Sequence, residues 1–138
     1  MSNQLTPGTV VRYPFLWSRE DAAGETEGRK DRPTCLVIAV SVSDKTHLLL
    51  APITSKEPHK DAVALKVPEL EKQRAGLTAY PDAWIICEEL NADVLELSSY
   101  YNPSRKPLGI FSAKFTAEVV RKAREAIQEG VRAVKRFD

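Results

Sequence analysis

Two long apolar runs near the middle of the chain predict its central strands. Residues 34–42 are rich in Val and Ile, and residues 46–54 are rich in Leu. Because the apolar residues are continuous rather than alternating, we expect both strands to be buried on both faces. Only a short polar segment, residues 43–45, separates the two runs. The pattern therefore predicts a β-hairpin.

Shorter apolar segments predict three further strands, at residues 8–15, 62–67 and 83–88. Pro14 near the end of the first suggests a sheet edge or a bulge there. Residues 93–97 form a segment too short to assign. The strands follow one another too closely for helical crossovers, so we expect a mostly antiparallel sheet or barrel of five or six strands.

The C-terminal part of the chain carries the helical pattern. Within residues 117–137 apolar side chains recur at steps of three and four, which predicts a helix over about 116–137. Thr116 is the expected N-cap, and Gly130 is expected inside the helix, weakening it by about 1 kcal/mol. We therefore predict an α+β, mostly β fold as a single domain over residues 1–138.

Polar segments and charge narrow the function classes. Residues 18–31 are nearly all charged or small and predict a long polar loop, which in a compact domain is often functional. The net charge is only +1, which does not suggest a strongly basic nucleic-acid binder. Residues 61–98 have a net charge of −5 and residues 99–138 one of +5. We interpret this basic tail as a solvated helix face.

Composition excludes several other classes. With 43% hydrophobic residues the chain is not a disordered protein, and no apolar run approaches the ~20 residues of a membrane span. The polar N-terminus has no apolar targeting core, and Cys35 and Cys87 lie inside apolar runs. We therefore expect a cytoplasmic protein with buried, reduced thiols. His47 and His59 are the only histidines and show no ligand spacing, so we expect no metal and no other cofactor.

Arg32 and Thr54 are the candidate chemical groups. Arg32 lies just before the first long strand and Thr54 ends the second, at similar distances from the hairpin turn. The two should therefore be neighbours at one end of the sheet. A guanidinium beside a hydroxyl suits phosphate chemistry, because the planar fork binds phosphate and stabilises transition-state charge. The alternative is structural: Arg32 would pair with Asp31 or Glu88, and Thr54 would cap a turn.

Several short motifs follow one another along residues 6–128, and their order indicates a known family. They are Gly8-Thr9-Val10-Val11, Arg32-Pro33-x-x-Leu36-Val37-Ile38, Ala51-Pro52-Ile53-Thr54, Gly76-Leu77, Glu88-Glu89-Leu90 and Gly109-Ile110-Phe111-Ser112. In this order they resemble the PemK/MazF growth-inhibitor toxins. The combination of the Arg-Pro step with the Pro-Ile-Thr step is what makes the resemblance specific.

The resemblance implies an SH3-like β-barrel with a C-terminal helix, usually a homodimer. It implies a type II toxin that cleaves single-stranded RNA without metal and is covered by an acidic antitoxin. Arg32 would stabilise the phosphorane-like transition state, and Thr54 would position or activate the groups at the 2′-oxygen. The expected substrate-binding residues are Arg29, Lys30, Ser55, Lys56 and His59.

The chain departs from the family pattern at two places. Ala83 stands where the family commonly has Ser, and Asn91 stands where it commonly has Arg. The missing Arg would lower the positive charge along the RNA, so we expect weak activity. One alternative is a catalytically weak or inactive barrel that binds RNA or protein. A third is a small structural domain unrelated to RNA.

Overall fold

The computed structural model describes residues 5–25 and 30–137. Its strands are β1 (Thr9–Tyr13), β2 (Arg32–Val42), β3 (Lys45–Thr54), β4 (Ala64–Lys66), β5 (Trp84–Ile86), β6 (Asn91–Val94), β7 (Gly109–Ile110) and β8 (Val134–Lys135). Its helices are α1 (Ser18–Ala22), α2 (Glu69–Arg74) and α3 (Ala113–Gln128), with one 3-10 turn at Leu95–Leu97. β7 and β8 have two residues each, which is too short for a sequence pattern to reveal.

The predicted hairpin between β2 and β3 is confirmed. Its connection is one residue shorter than expected, because Lys45 already pairs with Val42. Ser43 and Asp44 both have positive φ, +51° and +67°, as a two-residue type I′ turn requires. A bulge between Leu36 and Ile38 absorbs the extra residue of β2.

The sheet is mostly antiparallel, as predicted. Its strands pair in the order β4-β5-β3-β2-β1-β7 and form an open sheet. On the side of β3 that faces away from β2, residues 47–50 pair with β6, and Ile53 and Thr54 pair with β5. Strand β8 continues the sheet beyond β6, and these two strands run parallel. The C-terminal strand thus extends the sheet from a part of the chain where only helix was expected.

The central strands bury both of their faces over residues 34–37 and 50–53, which explains the continuous apolar sequence there. The expectation is wrong for the end of β2 next to the turn, where Val40 and Val42 are about half exposed. Val10, Cys35 and Ala51 belong to one core cluster, which the α3 residues Phe115 and Val119 cover. The alternate positions of the same strands face a second cluster. Its buried members are Val11, Tyr13, Phe15, Leu36, Leu48, Leu50 and Tyr101.

Both cysteines are buried and free. Cys35 lies in β2, and Cys87 follows β5 directly. Burial raises the pKa of the Cys35 thiol above its usual range and raises the pKa of Cys87 to about 12. Both thiols therefore stay protonated and unreactive at neutral pH, as the prediction of reduced core residues requires.

The predicted start of the C-terminal helix is wrong by about one turn. The N-cap is Ser112, whose hydroxyl oxygen accepts a hydrogen bond from the Phe115 amide. The Glu71 carboxylate accepts bonds from both the backbone amide and the hydroxyl of Ser112, which ties α2 to the start of α3. Thr116, the expected cap, is buried inside the helix.

The predicted end of that helix at residue 137 is also wrong. Helix α3 ends at Gln128, and Gly130 follows with a φ of +106°. The Gly130 amide donates to the Ile127 carbonyl and the Val131 amide to the Ala126 carbonyl, which closes the helix with a Schellman motif. The rest of the chain turns back to form β8. Arg136 is consequently buried rather than part of a solvated helix face.

The predicted polar loop at residues 18–31 contains structure of its own. Residues 18–22 form the single-turn helix α1. The Glu20 carboxylate accepts a hydrogen bond from the Trp17 amide, and this bond holds the start of the helix. Residues 26–29 lie outside the described residues. In the described part of the chain, no helix is long and apolar enough to cross a membrane.

Candidate functional site

Arg32 and Thr54 lie together at one end of the sheet, as the hairpin geometry predicts. Thr34 of β2 pairs with Pro52 of β3, and two further steps of this register bring Arg32 opposite Thr54. Both residues line a cleft of about 540 Å³. Both also line a neighbouring cleft of about 380 Å³. The first is called the main cleft here and the second the side cleft.

Three parts of the chain build the walls of the main cleft. The segment entering α1, the connection after β3 and the residues following β5 meet around Arg32 and Thr54. Its other lining residues are Trp17, Arg19, Lys56, Glu57, Pro58, His59, Ala62, Ile86, Glu88 and Glu89. These parts are far apart in sequence, so the cleft exists only in the folded chain.

The Arg32 guanidinium rests on an aromatic ring rather than on a carboxylate. Its central carbon lies 5.2 Å from the centroid of the Trp17 ring. Its Nε is buried, and no hydrogen-bond partner for it exists in the described part of the chain. Asp31, one of the two acids expected to pair with it, forms an ion pair with Arg105 instead.

Two of the three carboxylates that line the main cleft, Glu88 and Glu89, are bonded to other groups, and the third, Glu57, is exposed. Glu88 accepts a hydrogen bond from the Val63 amide at 2.8 Å, and its other oxygen lies 4.0 Å from Nε2 of His59. Glu89 accepts bonds from the amide and hydroxyl of Ser18, at 2.9 and 3.0 Å. The structural alternative for Arg32, pairing with Asp31 or Glu88, is therefore wrong within the described residues.

Thr54 does cap a turn, so the structural alternative is confirmed for this residue. Its Oγ1 accepts a hydrogen bond from the Lys56 amide at 3.1 Å. A hydroxyl has two acceptor lone pairs and one proton to donate. Capping the turn thus orients the Thr54 hydroxyl toward a defined direction while its proton can still be donated to a ligand.

The predicted substrate-binding residues that the structure describes all surround this pair. Lys56 and His59 line the main cleft, and Lys30 and Ser55 line the side cleft. Arg29 lies outside the described residues. The side chains of Lys30, Ser55, Lys56 and His59 are exposed. They can therefore reach a ligand that extends across Arg32.

Sequence reasoning missed Trp17 and Arg19, which lie where an apolar segment passes into a polar one. Only the folded chain brings the Trp17 ring against both guanidiniums, with the central carbons of Arg19 and Arg32 at 5.3 and 5.2 Å from its centroid. Glu88 was considered as a partner of Arg32, but its place in the main cleft depends on the pairing of β5 with β3, which no local pattern reveals.

Asn91 does not lie along the main cleft, where the resemblance led us to expect it. It is fully buried, and its side-chain amide bonds both the amide and the carbonyl of Leu16, at 2.9 and 2.7 Å. Ala83 is also fully buried. Both residues therefore lie in the interior, and neither lines the main cleft. The expectation of weak activity stays a prediction.

The sequence matches no model of a protein family and no curated protein. Within residues 5–25 and 30–137, no cluster of three or more His, Cys, Asp or Glu side chains could hold a metal ion. The main cleft includes the Arg32 guanidinium, which has no carboxylate partner among the described residues, the Thr54 hydroxyl, and the Glu88 carboxylate next to the His59 imidazole. This set can bind an anion and move a proton.

Proposed function

We propose that this protein is a metal-independent endoribonuclease that cleaves single-stranded RNA, the toxin of a type II toxin–antitoxin pair of the PemK/MazF kind. The observation that carries the proposal is the state of Arg32. Its guanidinium has no carboxylate partner among the described residues, and it shares an open cleft with the Thr54 hydroxyl. An RNA phosphodiester has the charge and geometry that such a fork binds.

The proposed reaction is attack by the RNA 2′-oxygen on the adjacent phosphorus. A bond from the 2′-oxygen to phosphorus forms, the bond to the 5′-oxygen breaks, and the products are a 2′,3′-cyclic phosphate and a 5′-hydroxyl. Arg32 stabilises the charge on the equatorial oxygens, and Thr54 donates to one of them. Glu88 accepts the 2′-hydroxyl proton, and His59 supplies a proton to the leaving 5′-oxygen. The reaction consumes no cofactor.

The proposal includes the SH3-like barrel that the resemblance implies. The pairing of β3 supports it, since one strand holds β2 on one edge and both β6 and β5 on the other. A sheet that divides in this way can curve around the core between its two parts.

The proposed partners are an acidic antitoxin and a second copy of the chain, in the cytoplasm. Arg19, Lys30 and Lys56 are exposed around Arg32, which suits an acidic segment lying in the cleft. Hydrogen exchange with and without the antitoxin should show protection at residues 18–25 and 56–59. Unchanged exchange in both segments would contradict a shared RNA and antitoxin surface, and light scattering would report the dimer.

The direct test of the proposed function is cleavage of a long unstructured RNA in the presence of EDTA. Arg32→Ala should lower the rate about a hundredfold or more, because it removes the main stabilisation of transition-state charge. Arg32→Lys should restore only part of the rate, since an ammonium lacks the planar fork. Thr54→Val should lower the rate with little change in stability. Arg121→Ala, on the exposed face of α3, is the matched control and should leave the rate unchanged.

Two results would contradict this assignment. One is equal cleavage by the parent and Arg32→Ala proteins, and the other is cleavage of an all-DNA strand, which has no 2′-hydroxyl. If the parent binds RNA without cleaving it, the binding-module alternative holds. The carboxylates of Glu57, Glu88 and Glu89 in the main cleft oppose a tightly held polyanion, so they favour the form of that second candidate that binds a protein.

A further inference from the structure

We propose that Trp17 is the positioning residue of the anion site: its ring holds the Arg32 guanidinium, so that the terminal nitrogens remain available to bind one phosphodiester. The choice of a phosphodiester as the anion rests on the proposed function. The holding of Arg32 by Trp17 and the binding of the anion do not require that the protein cleave anything.

A carboxylate often orients an arginine in a protein, and Arg32 has no such partner within residues 5–25 and 30–137. Glu57 lines the main cleft but is exposed to solvent. Four other acids that are near Arg32 in the structure or in sequence are engaged elsewhere. They are Glu20, Asp31, Glu88 and Glu89, bonded to the Trp17 amide, Arg105, the Val63 amide and Ser18, respectively. A carboxylate on Arg32 would occupy the same nitrogens that a phosphate needs. A ring on the face of the guanidinium leaves those nitrogens free.

Trp17 can position Arg32 because its own backbone is held on both sides. The Trp17 amide donates to Glu20, and the next residue, Ser18, donates twice to Glu89. The preceding residue, Leu16, is bonded through both its amide and its carbonyl to the buried side chain of Asn91. The ring also contacts Phe15 edge-to-face, with the ring centroids 5.4 Å apart.

The Trp17 ring also forms a wall of a third, smaller cleft of about 210 Å³ next to the main one. Arg32 lines this cleft as well as the main and side clefts. Arg32 is therefore common to all three clefts, and a nucleic-acid strand that crosses from one cleft to another passes this residue. Fixing the plane of its guanidinium against Trp17 would set the orientation of the phosphate bound there.

The test uses the full chain and an uncleavable probe, the DNA dinucleotide thymidylyl-thymidine, which has a phosphodiester and no 2′-hydroxyl. Side-chain ¹⁵N–¹H NMR should show the Arg32 Nε–H displaced by the ring current of Trp17, with the signal assigned by its absence in Arg32→Lys. Trp17→Ala should abolish this displacement and weaken dinucleotide binding about tenfold. Trp17→Phe keeps an aromatic face and should lose less.

Trp84→Phe is the matched control. Trp84 also carries a cation, with Lys66 Nζ 5.6 Å from its ring, but it lines none of the three clefts. This substitution should leave both the Arg32 signal and dinucleotide binding unchanged. Thermal unfolding of each variant separates a local effect from loss of the fold, and Trp17→Phe carries the test if Trp17→Ala does not fold.

The double variant Arg32→Ala/Trp17→Ala decides how Trp17 acts. If Trp17 works through Arg32, the double variant binds the dinucleotide no worse than Arg32→Ala alone. A further loss of about tenfold would mean that Trp17 acts in another way, by contacting the nucleotide itself or through Arg19, whose guanidinium carbon lies 5.3 Å from the centroid of the same ring. That result, or an unmoved Arg32 signal in Trp17→Ala, would overturn the inference. If the parent protein fails to cleave RNA while these binding results hold, the proposed function is wrong and the positioning role stands.

Discussion

At the residue scale, a fully buried polar contact joins Tyr13 to Asp93. The Tyr13 hydroxyl donates to one carboxylate oxygen at 2.7 Å, and the Ser98 hydroxyl donates to the same oxygen at 2.6 Å. The Val94 amide bonds the other oxygen. Both Tyr13 and Asp93 are fully buried, so the carboxylate depends on these donors for its solvation. Burial, followed by the charge of Asp93, raises the pKa of Tyr13 above its usual range.

Tyr13→Phe should lower the free energy of unfolding by about 2 kcal/mol at pH 7, because the buried carboxylate loses a donor. The parent should also lose stability as the pH rises above about 10, where the tyrosine ionises in the unfolded chain but not in the folded one. Tyr13→Phe should show a shallower loss. Urea unfolding at pH 7 to 11 measures both, with Tyr80→Phe as the control. Equal pH slopes for parent and Tyr13→Phe would contradict the assignment.

At the element scale, the end of α3 depends on the conformation of one glycine. In a helix interior, Gly130→Ala would stabilise the protein by about 1 kcal/mol. The structure places Gly130 at a φ of +106°, where an L side chain is strained although no atom lies within 4 Å of the added Cβ. The substitution should therefore destabilise the protein by about 1–2 kcal/mol.

The sign of the change in stability distinguishes a helix that ends at Gln128 from one that continues through residue 130. Urea unfolding of Gly130→Ala beside Glu129→Ala, an exposed neighbour, measures it. A gain in stability would show that the helix continues through residue 130, as the apolar periodicity alone suggested.

At the scale of the whole molecule, the C-terminal strand holds the segment that leads to the cleft. Arg136 donates to the Pro14 carbonyl at 3.0 Å and to the Asn91 side chain at 2.9 Å. Its guanidinium carbon also lies 3.9 Å from the centroid of the Tyr100 ring. Asn91 in turn bonds Leu16, next to Trp17. The last strand of the chain thus helps to set the position of the ring under Arg32.

Arg136→Ala should lower the free energy of unfolding by about 2–4 kcal/mol, since it leaves buried oxygens without their charged donor. Hydrogen exchange at the Leu16 amide should rise more than exchange within the β2–β3 hairpin. Lys135→Ala, the exposed neighbour, is the control and should change neither quantity. Similar exchange at Leu16 in both variants would show that the tail is not coupled to the cleft.

The sequence by itself determined the parts of this protein that depend on near neighbours. The apolar runs gave the hairpin because two strands joined by Ser43 and Asp44 have no other short way to pair. The same local geometry brought Arg32 and Thr54 to one end of the sheet. The burial of Cys35 and Cys87 followed from their apolar neighbours in the chain.

Only the tertiary structure decided the features that join distant segments. The periodicity of residues 117–137 could not show that the tail is more stable as β8 beside β6, because that gain comes from contacts outside the segment. The sequence also could not show that the Asn91 side chain bonds Leu16 in the interior. Nor could it show that several acids near Arg32 bond other groups while the Arg32 guanidinium lies on the Trp17 ring. Hydrogen bonds and ring contacts act over a few ångströms, so their partners are known only once the chain has folded.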